Sequence, residues 1–163
     1  MIEITYTAIG IIHSPFTKLS EMPIQPTSNS SAPGHIEIYP EYAEGLRDLD
    51  GFSHIYLLYH LHKVSQAKLT VTPFLDTMPR GVFATRAPSR PNPIGLSLVK
   101  LLRVEDDRVY VDQIDILNGT PLLDLKPFIP AFEGAENIRT GWLENAQKDI
   151  QKTRSDQRFL KKS

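Results

Sequence analysis

Short runs of alternating apolar and polar residues, cut at short intervals by turn formers, dominate this sequence, and no other feature limits its fold as much. Successive side chains of a strand point to opposite faces, so such runs suit half-buried strands, whereas a helix needs apolar residues three and four apart. Thr5–Ile12 alternates in this way, and Gly34–Tyr39 does so with Ile36 and Ile38 on one face. Ala67–Leu75 is a further strand, with Pro73 marking an edge or an end because proline donates no ladder hydrogen bond. Ile94–Val104 and Arg108–Ile116 read as two strands joined tightly at Glu105, Asp106 and Asp107. Phe52–Val64 is aromatic and apolar throughout and reads as a central strand, with helix as the competing reading. Pro40 suits the first turn of a short helix, and only Thr140 to about Phe159 carries a longer helical pattern. The pattern predicts a mainly β fold, an antiparallel barrel or sandwich with a long N-terminal loop from His13 to Gly34 and a short C-terminal helix.

The 163 residues suffice for one core, and residues 1–137 read as the β domain with 138–163 as a basic helical tail. No apolar run approaches the roughly 20 residues that cross a bilayer, and the start, MIEITYTAIGII, lacks the basic opening of a signal peptide, so a cytoplasmic address is expected. Cysteine is absent, which removes disulfides, thiolate nucleophiles and cysteine zinc sites. The glycines never cluster as G-x-G-x-x-G or as a P-loop, so any nucleotide-like cofactor must be held by another architecture.

A net charge of -1 hides an uneven distribution. Residues 77–104 contain no acid but carry Arg80, Arg86, Arg90, Lys100 and Arg103, and the tail is basic again. Within this region GVFATRAPSRPNPIGLS (81–97) holds three prolines, each fixing its own φ and biasing its predecessor to an extended form. Arg86, Arg90 and Asn92 are therefore displayed on a stiff segment, and an arginine fork suits carboxylates, phosphates and bases. In DILNGTPLLDLKPF (115–128), Asn118-Gly119 is a turn signal, and Asp124 and Lys126 share a face if extended, with Leu123 and Leu125 turned to the core. The pair fits an acid/base couple, a substrate clamp or a plain surface ion pair. His54, His60 and His62 share one face of an extended strand, but His54 lies too far along to join the others and no third ligand stands near, so no metal is expected.

The string FATRAPSRPNPIGLSLV, followed by D-x-x-NGTP-x-LD-x-KP-F-x-P, resembles the TsaA/YaeB-like family, as do IGIIHSPF and LDGFSHIYLLYHLH earlier in the chain. The resemblance runs from about Ile9 to Pro130 and implies a dimeric β-barrel methyltransferase of the cytoplasm that uses S-adenosyl-L-methionine. It implies tRNA as substrate, with the methyl going to N6 of the adenosine next to the anticodon, already bearing a threonylcarbamoyl group. Carried over residue by residue, it places Pro26, Thr27, Ser28, His62, Lys63, Arg86, Leu96, Asp115, Ile116, Leu117 and Asn118 around the cofactor. The family usually has serine at the position of Ala87 and aspartate at that of Asn118.

Methyl transfer from a sulfonium depends on alignment more than on covalent help. Asp124 and Lys126 are the expected catalytic residues, with Asp124 orienting the amine or taking its proton and Lys126 or Arg90 meeting the threonylcarbamoyl carboxylate or a phosphate, and Arg90 and Asn92 are expected to face the substrate or the neighbouring subunit. The rivals are a non-catalytic barrel that binds RNA or the cofactor, and a methyltransferase for another RNA or a small molecule.

Overall fold

A computed structural model describes residues 1–22, 31–74 and 76–145. Six strands close into an antiparallel barrel: β1 (Gly10–His13), β2 (Gly34–Ile38), β3 (His54–His60), β6 (Ile94–Glu105), β7 (Arg108–Asp112) and β8 (Thr120–Pro127). Their order around the barrel is β1-β2-β7-β6-β3-β8, with β8 pairing back onto β1. Two short strands, β4 (Thr70–Val71) and β5 (Arg80–Gly81), make a separate ribbon inside the β3–β6 connection. The expected class, a mainly β antiparallel barrel, is the one observed. Among the described residues no helix is long and apolar enough to cross a membrane.

Alternation explains the core. Ile12, Ile36, Ile38, Ile55, Leu57, Val99, Leu101, Val109, Val111 and Leu122 point inward from the six strands and are almost completely buried. Each such side chain contributes about 1.5–3 kcal/mol by leaving water, so the strand faces are fixed far more firmly by burial than by any surface charge pair. The 3-10 segments Pro40–Leu46 and Leu49–Gly51 add Leu46 and Leu49 to the core.

Several sequence expectations change in extent. The first strand begins at Gly10 rather than Thr5, because the ladder with β2 and β8 starts there. Ala67–Leu75 shrinks to Thr70–Val71, the two residues that pair with Gly81 and Arg80. The β6–β7 hairpin turns at Asp106, whose φ of 52° is one that aspartate tolerates. The strand expected over Arg108–Ile116 stops at Asp112; Gln113 takes φ 62°, and Ile114 and Ile116 leave the sheet to plug the barrel. In β8 the fully buried leucine is Leu122, while Leu123 and Leu125 are only half-buried. The cause is a bulge: Leu58 lies opposite Asp124 and Tyr59 opposite Leu122, which leaves Leu123 as the extra residue. Of the expected C-terminal helix, Gly141–Asn145 is a 3-10 turn and the remainder lies outside the described residues.

Candidate functional site

The antiparallel order puts three connections at one end of the barrel. There β1, β3 and β7 finish and β2, β6 and β8 begin, as the pairing of His13 with His35, His60 with Ile94 and Ile12 with Thr120 shows. Connections 14–33, 61–93 and 113–119 therefore start and finish at one rim. Every residue expected around the cofactor comes from these connections or the strand ends that bear them.

Inside this rim a polar chain crosses the core. Ser97 on β6 donates to Asp115 Oδ1 at 2.5 Å, and the Tyr59 hydroxyl on β3 lies 3.0 Å from Ser97 Oγ. Ser97 has one proton and gives it to the carboxylate, so Tyr59 donates to Ser97. Ser97 and Tyr59 are buried. Burial pushes the Asp115 carboxyl up to about 6, against the opposing pull of Ser97 and of the Arg86 charge. Burial also raises the Tyr59 phenol, which stays neutral and serves as a donor. Tyr59 and Ser97 were not singled out from sequence; they lie 38 residues apart and meet only through the pairing of β3 with β6. The available signal was Asp115 itself, an acid set between two isoleucines that plug the core.

The stiff segment 81–97 is organised from within. Arg90 Nη1 donates to the carbonyls of Thr85, Val82 and Ala87 at 2.8, 3.1 and 3.4 Å, and its guanidinium lies 5.8 Å from the Phe83 ring. Arg90, expected at the substrate, thus holds the loop that carries Arg86. Ala87 packs with Val71 and Val82 in a small second core, where a methyl group suits the site better than a hydroxyl. Arg86 is exposed, and among the described residues it makes no hydrogen bond or ion pair, while its charge reaches Tyr56, Tyr59 and Asp115. Asn92 is exposed on the same segment.

The remaining expected residues divide between the rim and the outer wall. Asn118 Oδ1 accepts from the Ser14 amide at 3.1 Å, the Asn118 amide donates to the Phe16 carbonyl at 2.8 Å, and Gly119 turns with φ 79°. The side chain at 118 is used as an acceptor, a role an aspartate fills equally, so the departure from the family residue leaves this contact intact. Ile116 and Leu117 are buried beneath it. His62 follows β3, and desolvation, reinforced by the neighbouring Lys63 charge, lowers its pKa so that the imidazole is neutral near pH 7. Lys63 is exposed beside it. Pro26, Thr27 and Ser28 lie outside the described residues. Leu96 and Ile94 point outward from β6, 49% and 39% exposed, with Leu58 directly opposite Leu96. Asp124 and Lys126 stand on the same outer wall as an exposed ion pair of 2.8 Å, the blandest of the readings their spacing allowed. His54 sits at the far end against Phe128, and among the described residues no group of three or more His, Cys, Asp or Glu could hold a metal ion.

The model of the tRNA-methyltransferase O N-terminal domain matches residues 11–134. This chain belongs to that family. A probable S-adenosyl-L-methionine-binding protein of Pyrococcus abyssi is 47% identical over 96% of this chain and 85% of its own length. The tRNA (adenine(37)-N6)-methyltransferase of Escherichia coli is 35% identical over 86% of this chain and 64% of its own. Among solved structures, TrmO from Pseudomonas aeruginosa superimposes with a TM-score of 0.73 at 36% identity, covering 86% of this chain and 63% of that one. Against both of the latter the chain spans somewhat less than two thirds of the relative.

Proposed function

We propose that this chain transfers the methyl group of S-adenosyl-L-methionine to N6 of adenosine 37 in tRNA, on a base already carrying a threonylcarbamoyl group. It works in the cytoplasm as a homodimer. The observation that carries this reading is the Tyr59–Ser97–Asp115 chain beside Arg86, which makes no hydrogen bond or ion pair among the described residues, at the loop-bearing rim of a barrel whose relatives include proteins named tRNA (adenine(37)-N6)-methyltransferase.

The donor set suits the cofactor's chemistry: a carboxylate for a cation, a free guanidinium for a carboxylate, and a neutral imidazole and aliphatic side chains for a purine. Bound S-adenosyl-L-methionine would supply an electrophilic methyl group, and the nitrogen that accepts it has one proton to lose. Asp115 is the group suited to take that proton, because a carboxyl near pH 6 is ionised at neutral pH yet basic enough to accept. Ser97 fixes its Oδ1, and Tyr59 fixes Ser97, so the carboxylate is oriented before substrate arrives. Arg86 pairs with a carboxylate of cofactor or substrate. His62, Lys63, Leu96, Ile116, Leu117 and the 118 turn, with Pro26, Thr27 and Ser28 from the first long loop, complete the cofactor's surroundings. In this reading proton transfer, first expected of Asp124, falls to Asp115, the carboxylate contact first expected of Lys126 or Arg90 falls to Arg86, and Asn92 takes the substrate side. The outward row of Ile94, Leu96 and Leu58 is the surface for the second copy.

Purified protein, labelled cofactor and tRNA with or without threonylcarbamoyl-adenosine test the reaction directly. Methyl label in the modified adenosine, read by nucleoside mass spectrometry, is the expected result; no labelled nucleoside from either tRNA overturns it. The second reading, a cofactor-binding barrel without transfer, is favoured by the name of the Pyrococcus relative, which this chain matches along nearly its full length. It predicts saturable cofactor binding and no label in RNA.

A further inference from the structure

Phe83 is 74% exposed, yet the 3-10 turn that presents it (Val82–Ala84) is fixed from both sides. Before the ring, Val82 is buried with Val71 and Ala87, and its amide donates to the Leu69 carbonyl at 2.9 Å. The Val82 carbonyl accepts from the Thr85 amide at 3.1 Å, the Thr85 hydroxyl at 2.9 Å and Arg90 Nη1 at 3.1 Å. After the ring, the Ala84 carbonyl accepts from Trp142 Nε1 at 2.8 Å, a bond that spans 58 residues of sequence. The ring itself is braced by the Arg90 guanidinium, which lies over it at 5.8 Å from the centroid. A large apolar ring is thus held in water with one face against a cation and most of its surface open.

An exposed phenylalanine alone needs no explanation. This one is set apart by its fixed plane and its cationic setting, because exposed Arg86 follows three residues later and residues 77–104 hold no acid. We propose that Phe83 is a stacking platform for an unpaired base of the substrate RNA, beside the adenosine that is methylated. The proposal rests on the tRNA reading above and adds a contact that seats the RNA. Unpaired RNA bases stack on aromatic rings, and a ring already fixed loses little freedom on receiving one. The guanidinium on one face leaves the other to the base, and an acid-free stretch admits the phosphates that accompany it. The chain sets the distance: Phe83 and Arg86 are at most about 11 Å apart along the backbone, and the Arg86 charge reaches Asp115, so the stacked base is a near neighbour of the one that reacts. A second copy of this chain fits the turn less well, since a two-fold axis there would set Arg86 against its own counterpart.

The test uses the full chain, Phe83→Ala, and Phe83→Trp, which keeps an aromatic plane. The probe is an anticodon stem-loop RNA with 2-aminopurine at either base flanking adenosine 37, titrated by fluorescence and by filter binding, while S-adenosyl-L-methionine is titrated by calorimetry. Wild-type protein and Phe83→Trp should change the 2-aminopurine emission at one of the two positions. Phe83→Ala should lose that change and bind the RNA roughly ten-fold more weakly, with cofactor affinity and melting temperature as in wild type. An emission change that survives in Phe83→Ala, or RNA affinity equal to that of wild type, overturns the proposal while leaving the tRNA reading standing. Conversion of a wild-type dimer to monomers by Phe83→Ala, read by sedimentation, assigns the ring to the second copy and also overturns it. Wild-type protein that binds no RNA overturns both.

Discussion

The Tyr59 ring lies over Gly95 so closely that a Cβ at position 95 would fall 2.1 Å from Cε2 of the ring. Glycine here is a packing requirement, since the two residues face each other across β3 and β6 and the ring must lie flat for its hydroxyl to reach Ser97. Gly95→Ala should therefore displace the ring, costing about 1–3 kcal/mol in urea denaturation. Methylation should fall with it, because Asp115 loses its oriented support. An alanine variant with full stability and full rate would refute this account of the contact.

Asp115→Asn separates stability from chemistry. In the folded chain burial pushes the carboxyl up to about 6 from its ordinary value of 3.8. A raised folded-state pKa contributes stability that is complete below 3.8 and is lost as pH rises through 6, so at pH 7.5 the ionised Asp115 is a burden on the order of 3 kcal/mol or less. Asparagine keeps the acceptor for Ser97 and carries no charge to desolvate. The variant should melt higher than wild type at pH 7.5, lose this advantage near pH 4, and transfer methyl groups at least 100-fold more slowly. Wild-type rate should rise with pH through an apparent pKa near 6.

Arg86 and Arg90 sit four residues apart and should fail in different ways. Removing Arg90 leaves the Val82, Thr85 and Ala87 carbonyls without their shared donor, and a charged hydrogen bond is worth about 1.5–3 kcal/mol. Arg90→Ala should lower stability by about that amount and weaken cofactor binding indirectly. Arg86→Ala should leave the denaturation midpoint unchanged and abolish tight cofactor binding in calorimetry.

At position 118 the acceptor oxygen is what the fold uses, through the Ser14 amide. Asn118→Asp should retain melting temperature and cofactor affinity within a factor of about two, whereas Asn118→Leu should cost about 1 kcal/mol and loosen the start of the first long loop. Equal behaviour of the two variants in thermal melts would remove the contact from the site.

The barrel was legible where a single strand carries its own pattern: Ile36 and Ile38 face the core together, and Asp106 turns the hairpin its neighbours announce. It was less legible where pairing sets the limits. Thr5–Ile9 alternates as well as Gly10–His13 does, but the strand begins only at Gly10, with Ile9 bonded to Leu122 and Tyr39 just ahead of it, and the bulge at Leu123 reverses the inward face of β8 in mid-strand. The site followed the same division. Motif resemblance brought forward Arg86, His62 and the 115–118 turn, each within a continuous string. Tyr59 and Ser97 carry no local mark, and they acquire their role only when β3 and β6 stand in register. Arg90 was read as a free cation because nothing in its neighbourhood of sequence reveals that three carbonyls curl around it.

Barrel closure also sets an order of events during synthesis. Gly10 meets Leu122, and Ile55 meets Pro127, so one edge of β1 and one edge of β3 stay unpaired until β8 has left the ribosome. Nearly four fifths of the polypeptide must be made before the first strand finds its second neighbour, and contacts so distant in sequence form slowly. Until then the nascent chain exposes two open sheet edges, which makes the interval before β8 emerges the period in which this protein most needs protection from aggregation.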